Sequence, residues 1–376
     1  MTLVTHPVYY HEDGFPPTSI RYEELIPHIG PASAAVARYD GTLAAIPNAT
    51  VLLSPLITRE AVLSSKIEGT QATMGEVLEY DADVKRPDLS QDKIQDIREI
   101  LNYRIGMQVA KKMLETLPLS LRVIREIHRE LLQGVRGHGK SPGELRRIPN
   151  WIGPPGCTID HARFVPISAD KLPGALSKWE RYIHDETPDL LIQLAILHAE
   201  FEALHPFLDG NGRLGRMLIP LFLWQKQLLR EPMFYMSAYF EANREDYYDH
   251  LLAISRDNDW TGWCKFFLIA IRSQAQENQE KATAILKLYS ELKPSLIQLT
   301  RSQYAIHALD WMFEKPIFSS RDFIDRARIP GPTARRMLTI LKTNGILSEV
   351  IKGEGRRAAV YGFPRLLNIA EGSDVF

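Results

Sequence analysis

The run His205-Pro206-Phe207-Leu208-Asp209-Gly210-Asn211-Gly212-Arg213-Leu214-Gly215-Arg216 forces a stop and a restart between two apolar helices, and it loads that junction with reactive side chains. Upstream, residues 190–204 contain neither Pro nor Gly. Leu190, Leu194, Leu197, Phe201 and Leu204 recur there at helical spacing, which predicts a helix ending at His205 with Pro206 blocking its continuation. Gly210-Asn211-Gly212 turns the chain, and residues 213–227 are predicted as a second, buried helix whose unsatisfied N–H groups face that turn. Such an end attracts anions, because free amides and the helix dipole converge on it. Arg213 and Arg216, three residues apart, add forked donors for phosphate oxygens. Asp209 adds one carboxylate, which suits Mg²⁺ because that ion fills the rest of its shell with phosphate oxygens and water. His205 supplies a base whose ordinary pKa of about 6.5 leaves it largely neutral near pH 7.

Taken singly, these residues have ordinary readings: a His before Pro as a helix cap, the glycines as a loop, Asp209 as a solvated turn residue, the arginines as surface charge. As one string they resemble the His-Pro-Phe-x-Asp/Glu-Gly-Asn-Gly-Arg-x-x-Arg motif of the Fic family, nucleotidyltransferases that attach AMP to protein hydroxyls, and every specified position is matched. The resemblance implies that His205 takes the proton from a Tyr, Thr or Ser hydroxyl of a target protein while that oxygen attacks the α-phosphorus of ATP and pyrophosphate leaves. It implies that Asp209 holds Mg²⁺ on the α and β phosphates, that Gly210, Asn211 and Gly212 cradle the anion, and that Arg213 contacts the β and γ phosphates. Arg216 would reach the γ-phosphate, with Leu214 and Gly215 in the same ATP-binding run. Chemistry of this kind rests on positioning and charge neutralisation.

Far upstream, Ser54-Pro55 predicts a capped helix start, residues 56–68 continue without a breaker, and Gly69 is placed to end the helix. Ser64 and Glu68 share one face at i, i+4. A glutamate at a helix end is ordinarily solvated, but Ser64-Ser65-Lys66-Ile67-Glu68-Gly69 resembles the family's Ser/Thr-x-x-x-Glu-Gly/Asn inhibitory motif, in the subclass that carries it ahead of the core on the same chain. The resemblance implies autoinhibition, with Glu68 pairing with Arg216 and occupying the donor meant for the γ-phosphate.

Residues 146–153 and 163–167, around Pro154-Pro155-Gly156 and Asp160, are predicted as two short strands of a hairpin. In the family an edge hairpin, the flap, sits here. It aligns the target by strand addition and touches the nucleotide, so by position His161, Ala162, Arg163 and Phe164 would face the nucleotide. A surface hairpin without a ligand is the alternative. Downstream, the family's Tyr-Tyr pair near the adenine matches Tyr247 and Tyr248, residues whose commoner fate is plain packing. His198 is expected to be a satisfied core histidine, since no His-Glu-x-x-His spacing accompanies it.

At 376 residues the chain exceeds one small core. The divisions expected are a helical region with the inhibitory motif (1–115), a catalytic core (116–275), a linker helix (276–298) and a winged helix-turn-helix (299–376). The predicted fold class is mainly α, a Fic-type helical bundle with a small β-hairpin flap. A formal net charge of −1 points to no partner, and two cysteines, Cys157 and Cys264, are too few for a disulfide framework. A reducing cytoplasm is the expected setting. The N-terminus shows no basic n-region followed by an apolar h-region, and no apolar run reaches about 18 residues, so neither export nor a membrane partner is expected.

Beyond residue 299 the pattern changes. Residues 303–314 are predicted as a helix, Ser319 or Ser320 caps a second to residue 327, and Gly331-Pro332-Thr333 opens a third that buries Ala334, Met337, Leu338 and Leu341. Strands follow at 346–351 and 358–363 around a basic turn. This order resembles a winged helix-turn-helix. Eleven Lys or Arg against four Asp or Glu between residues 315 and 365 favour a polyanion despite the neutral whole. Arg335, Arg336, Arg356 and Arg357 are the candidate contacts, to DNA or to a protein partner, and a homodimer through this module stays open. The reading reached is an autoinhibited protein adenylyltransferase using ATP and Mg²⁺. Its alternatives are a nucleotide-sensing transcriptional regulator, and a Fic enzyme that removes AMP or transfers another phosphate-containing group.

Overall fold

Helices form wherever apolar residues recur every three or four positions, and they supply nearly all the regular structure among the residues described by this computed structural model, 6–83, 89–154, 156–354 and 357–376. In chain order they are α1 (Tyr22–Ala45), α2 (Ala49–Leu52), α3 (Ser54–Ile67), α4 (Met74–Asp81), α5 (Gln91–Leu114), α6 (Leu121–Leu131), α7 (Leu172–His184), α8 (Leu190–Leu204), α9 (Asn211–Gln225), α10 (Ser237–Ala242), α11 (Arg244–Asp257), α12 (Trp260–Thr300), α13 (Ala305–Glu314), α14 (Ser320–Arg326), α15 (Gly331–Thr343) and α16 (Pro364–Glu371). Five short strands accompany them: β1 (Val8–Tyr9), β2 (Phe164–Val165), β3 (Ile317–Ser319), β4 (Ser348–Ile351) and β5 (Val360–Gly362). Among the described residues no helix is long and apolar enough to cross a membrane.

Two compact units result, and neither is one stretch of chain. The first gathers Met1–Asp40, Leu63–Gly69 and Asn102–Gln276; the second gathers Gly41–Val62, Thr70–Leu101 and Glu277–Phe376. The 41-residue α12 runs without a break through the segment read from sequence as a separate linker helix.

The first unit is organised on α8, which is apolar on every side and therefore buried on every side. Three of its four polar side chains, Gln193, His198 and Glu200, are hydrogen-bonded to neighbouring elements. Gln193 donates to the carbonyls of Tyr182 (2.6 Å) and Asp185 (3.0 Å). Glu200 accepts from the Tyr10 hydroxyl (2.6 Å) and pairs with His11 (2.9 Å). His198 lies between the Gly215 carbonyl (3.1 Å) and the Tyr247 hydroxyl (2.9 Å), the satisfied core histidine expected from sequence. Unmatched, each of these groups would cost roughly 1–3 kcal/mol at this depth.

The segment read as a hairpin has a different build. β2 pairs in parallel with β1 from the N-terminal segment, Val8 opposite Phe164 and Tyr9 opposite Val165. The other arm reduces to one antiparallel bridge, Ile152 to Phe164. Pro149 has no N–H to give a ladder, and the Arg146 amide donates to the Pro206 carbonyl rather than to a strand partner, while the Arg146 and Asn150 side chains bind the carbonyls of residues 204–207.

In the second unit, α13, β3, α14, α15, β4 and β5 follow one another, and the three strands form an antiparallel sheet in the order β3-β5-β4. Ser319 caps α14, its hydroxyl accepting from the Asp322 amide at 3.0 Å. α15 buries Ala334, Met337, Leu338 and Leu341, the face expected from its spacing.

Candidate active site

His205 ends α8 in the left-handed region, φ 45° and ψ 61°, where the following proline leaves no helical alternative. Its backbone is gripped. The His205 carbonyl accepts from Arg146 Nε (3.0 Å) and Asn150 Nδ2 (3.3 Å), while the Pro206 carbonyl accepts from the Arg146 amide (2.9 Å). The ring's Nδ1 faces the Glu202 carbonyl at 3.4 Å, a contact that assigns the proton to Nδ1 and leaves Nε2 as the basic nitrogen. Burial, chiefly, pushes the His205 pKa down to about 4, so the imidazole is neutral at physiological pH.

Gly210 follows at φ +76°, a conformation that glycine adopts without a steric penalty, and its carbonyl starts α9. α9 begins at Asn211, two residues earlier than its sequence suggests. The Asn211 side chain explains this, because it accepts from the Phe207 amide (2.9 Å) and donates to the Phe207 carbonyl (2.8 Å), closing the loop onto the helix. Asn211 thus shapes the loop with its side chain. Leu214 is fully buried, so only its backbone faces the turn. Arg213 donates to Asp209 Oδ1 at 3.3 Å. Asp209 is 40 % exposed, and among the described residues no group of three or more His, Cys, Asp or Glu side chains gathers to hold a metal. One accessible carboxylate beside a helix N-terminus fits a Mg²⁺ that shares its shell with phosphate oxygens and water.

Arg216 is 1 % exposed, and three contacts account for it: Nε donates to Ser64 Oγ (2.9 Å), and Nη2 donates to the Ser64 carbonyl (2.8 Å) and to Glu68 Oε1 (2.7 Å). Burial works against both charges, yet Glu68's presence raises the Arg216 pKa. Burial would likewise lift the Glu68 carboxyl, but the Arg216 charge and hydrogen bond, with Arg213 and His205 behind, hold it below the usual range. Gly69, φ +103°, ends the segment as expected. Gly212 makes room for this pair, since a Cβ there would overlap Glu68 Oε1.

The flap-side residues scatter. His161 is exposed and its Nδ1 bonds Thr158 Oγ1 (3.0 Å); Ala162 and Phe164 are buried. Arg163 pairs with Asp249 and lies 5.8 Å over the Tyr248 ring, so these two predicted residues meet. Tyr247 is buried in the aromatic core, stacked on Phe240 at 4.4 Å with its hydroxyl on His198. In the second unit Arg335 and Arg357 are exposed, while Arg336 donates to the Thr300 carbonyl at 2.9 Å. Arg356 lies outside the described residues.

Two functional-site neighbours escaped sequence reading. Glu202, three residues before His205, has a buried oxygen without a hydrogen-bond partner and packs on Gly215; burial pushes its pKa up to about 7, against the attraction of Arg216. Spacing along α8 could have flagged it. Arg146, 3 % exposed, donates to the carbonyls of Ile148, Ile167, Leu204 and His205, and burial lowers its pKa to about 10. No local pattern announces that role. Arg146→Leu is expected to destabilise the chain by about 2–4 kcal/mol by orphaning those carbonyls, read as a lower denaturant midpoint at unchanged slope. An unchanged midpoint would show that the grip on residues 204–206 is dispensable.

Comparison with known proteins places this geometry. The model of the Fic/DOC family N-terminal region matches residues 26–112, and the Fic/DOC family model matches residues 118–223. A protein adenylyltransferase Fic of Drosophila grimshawi is 25% identical over 179 residues, covering 46% of this chain and 33% of that protein. A probable protein adenylyltransferase of Aquifex aeolicus is 27% identical over 196 residues, covering 51% of this chain and 56% of that protein. The chain thus spans between a third and just over half of the length of these curated relatives. Among solved structures, a Fic family protein from Desulfovibrio desulfuricans matches with a TM-score of 0.58 at 19% identity, over 93% of this chain and 98% of that one. A Fic domain containing signaling protein from Bacteroides thetaiotaomicron matches with a TM-score of 0.52 at 19% identity, over 69% and 97%. These likenesses speak for the fold. With both family regions present in order, the chain belongs to the Fic/DOC family.

Proposed function

We propose that the chain is an autoinhibited protein adenylyltransferase, which transfers AMP from ATP to a hydroxyl of a target protein. The observation that carries this reading is the loop from His205 to Asn211, where a neutral base, an accessible carboxylate and the amide end of α9 share one turn of chain. Nε2 of His205 takes the proton of a Tyr, Thr or Ser hydroxyl as its oxygen bonds to the α-phosphorus; the bond from that phosphorus to the bridging oxygen breaks, and pyrophosphate leaves. Gly210 to Gly212 bind the anion, Arg213 the β and γ phosphates, and Arg216 the γ-phosphate once Glu68 lets go. Asp209 would hold Mg²⁺, which supplies charge neutralisation on the α and β phosphates. Arg163 and Tyr248 form the side wall of the nucleotide. The names of the Drosophila and Aquifex relatives support the same chemistry. The test is mass spectrometry of Glu68→Gly protein with ATP and Mg²⁺: a +AMP adduct that disappears with His205→Ala supports the reading, and no adduct in either overturns it.

We further infer that residues 299–376 form a winged helix that docks duplex DNA. Residues 326–345 contain five Lys or Arg and no Asp or Glu, and α15 turns Arg335, Thr339 and Lys342 outward from its buried face. That is a cation-bearing helix of the kind that enters a major groove. The full chain is expected to retard duplex DNA with an affinity that falls steeply with salt, and Arg335→Ala is expected to weaken it roughly five- to tenfold. Salt-insensitive or absent retardation would leave a protein partner as the occupant.

A further inference from the structure

Below the catalytic loop sits a side chain that the sequence reading passed over. His128 lies on the apolar face of α6 with Val123, Ile124, Ile127 and Leu131, and it is fully buried. Its ring stacks on Phe207, centroids 3.8 Å apart at 18°. The Gly143 amide donates to its Nδ1 at 2.8 Å, which requires that nitrogen to carry a lone pair and so puts the proton of the neutral ring on Nε2. Nε2 faces the backbone carbonyl of Asp209 at 3.0 Å. The tautomer is therefore dictated by one neighbour and spent on the other.

The consequence follows from peptide planarity. The Asp209 carbonyl and the Gly210 N–H belong to one trans peptide and point in opposite directions. Holding the carbonyl down on His128 turns the Gly210 N–H away from the protein interior, and that N–H has no partner among the described residues. Gly210 at φ +76° allows the turn, and a Cβ there would come within 3.7 Å of His128 Cδ2. A peptide flip, the ordinary freedom of an Asp-Gly pair, would point a carbonyl at the phosphate instead of a donor.

We propose that His128 is a positioning residue for the nucleotide: it locks the Asp209–Gly210 peptide so that the Gly210 N–H serves as a phosphate donor and the Asp209 side chain stands beside it. This rests on the reading of residues 209–212 as the ATP cradle. His128→Asn and His128→Gln separate the two hydrogen bonds, because the Asn oxygen can take the place of Nδ1 toward Gly143, whereas the longer Gln places an amide N–H near Nε2, toward Asp209. Both are made in the Glu68→Gly background, and dissociation constants for a non-hydrolysable ATP analogue with Mg²⁺ are measured by calorimetry beside melting temperatures. His128→Asn is expected to bind about tenfold more weakly, a loss of about 1.4 kcal/mol, and His128→Gln to recover to within about threefold of the parent. Equal losses in the two variants, or none in His128→Asn, overturn the proposal while the cradle reading stands. Failure of the Glu68→Gly parent to bind the analogue overturns the cradle reading itself, and this proposal with it. Should His128→Gln prove unfolded, crystals of His128→Asn decide: an unflipped Asp209–Gly210 peptide refutes the lock.

Discussion

Glu68→Gly is expected to raise AMP incorporation by about ten- to a hundredfold. Arg216 is nearly inaccessible to water, and a buried guanidinium that loses its counter-ion is strongly destabilised unless another anion replaces it. Glu68 fills that role in this structure, and on the proposed function the γ-phosphate would fill it in the active state, so the two would compete for the same Nη2 donor. Each 1.4 kcal/mol by which Glu68 is preferred suppresses productive binding tenfold. Ser64 remains bonded to Arg216 after the substitution, which keeps the guanidinium aimed. The melting temperature is expected to fall without nucleotide and to be regained with ATP and Mg²⁺, since the ligand binds only the folded state. Incorporation that stays at the parent level would show that Glu68 blocks nothing.

His205→Ala, made in the Glu68→Gly background, is expected to lower AMP transfer by about 10²–10⁴-fold while ATP affinity changes little. On the proposed function Nε2 would take the reacting proton, whereas α9 and the arginines would hold the anion. The pH profile gives a second reading of the same residue. Burial holds the His205 pKa near 4, so the neutral, proton-accepting form prevails above about pH 5. In Glu68→Gly protein kcat/KM for ATP is expected to stay flat from about pH 6 to 8 and to decline only below about pH 5. Loss of the Glu68 carboxylate, which raises the His205 pKa, moves that acid limb further down and not up. A limb centred near pH 6.5 would mean an imidazole as hydrated as one in solution.

Much of the site was legible locally because local rules govern it. Pro206 fixes where α8 stops, Gly210 permits the left-handed turn, and Gly69 ends the segment after α3 at φ +103°. The pairing of Glu68 with Arg216 was reachable only through family resemblance, since 148 residues separate them and no periodicity connects positions that far apart. Misjudgement came where tertiary hydrogen bonding outweighed propensity. The 146–153 arm did not become a strand, because the Arg146 amide is given to the Pro206 carbonyl and Pro149 has no N–H to pair. Tyr247, matched only by family resemblance, lies in the core with its hydroxyl on His198.

By itself the sequence determined the helical class, the junction after residue 204, the loop chemistry and the charge of the C-terminal segment, all of them consequences of neighbours within a few bonds or a few turns. Only the tertiary structure decided which buried groups answer one another: Arg146 gripping residues 204–206, His128 under Asp209, Glu202 beside Gly215, and the N-terminal strand on β2. The hydrogen bonds among these answer the need of polar groups taken out of water for partners, while Glu202 is placed by packing on Gly215; both are conditions on the whole packed interior that no short window of residues expresses.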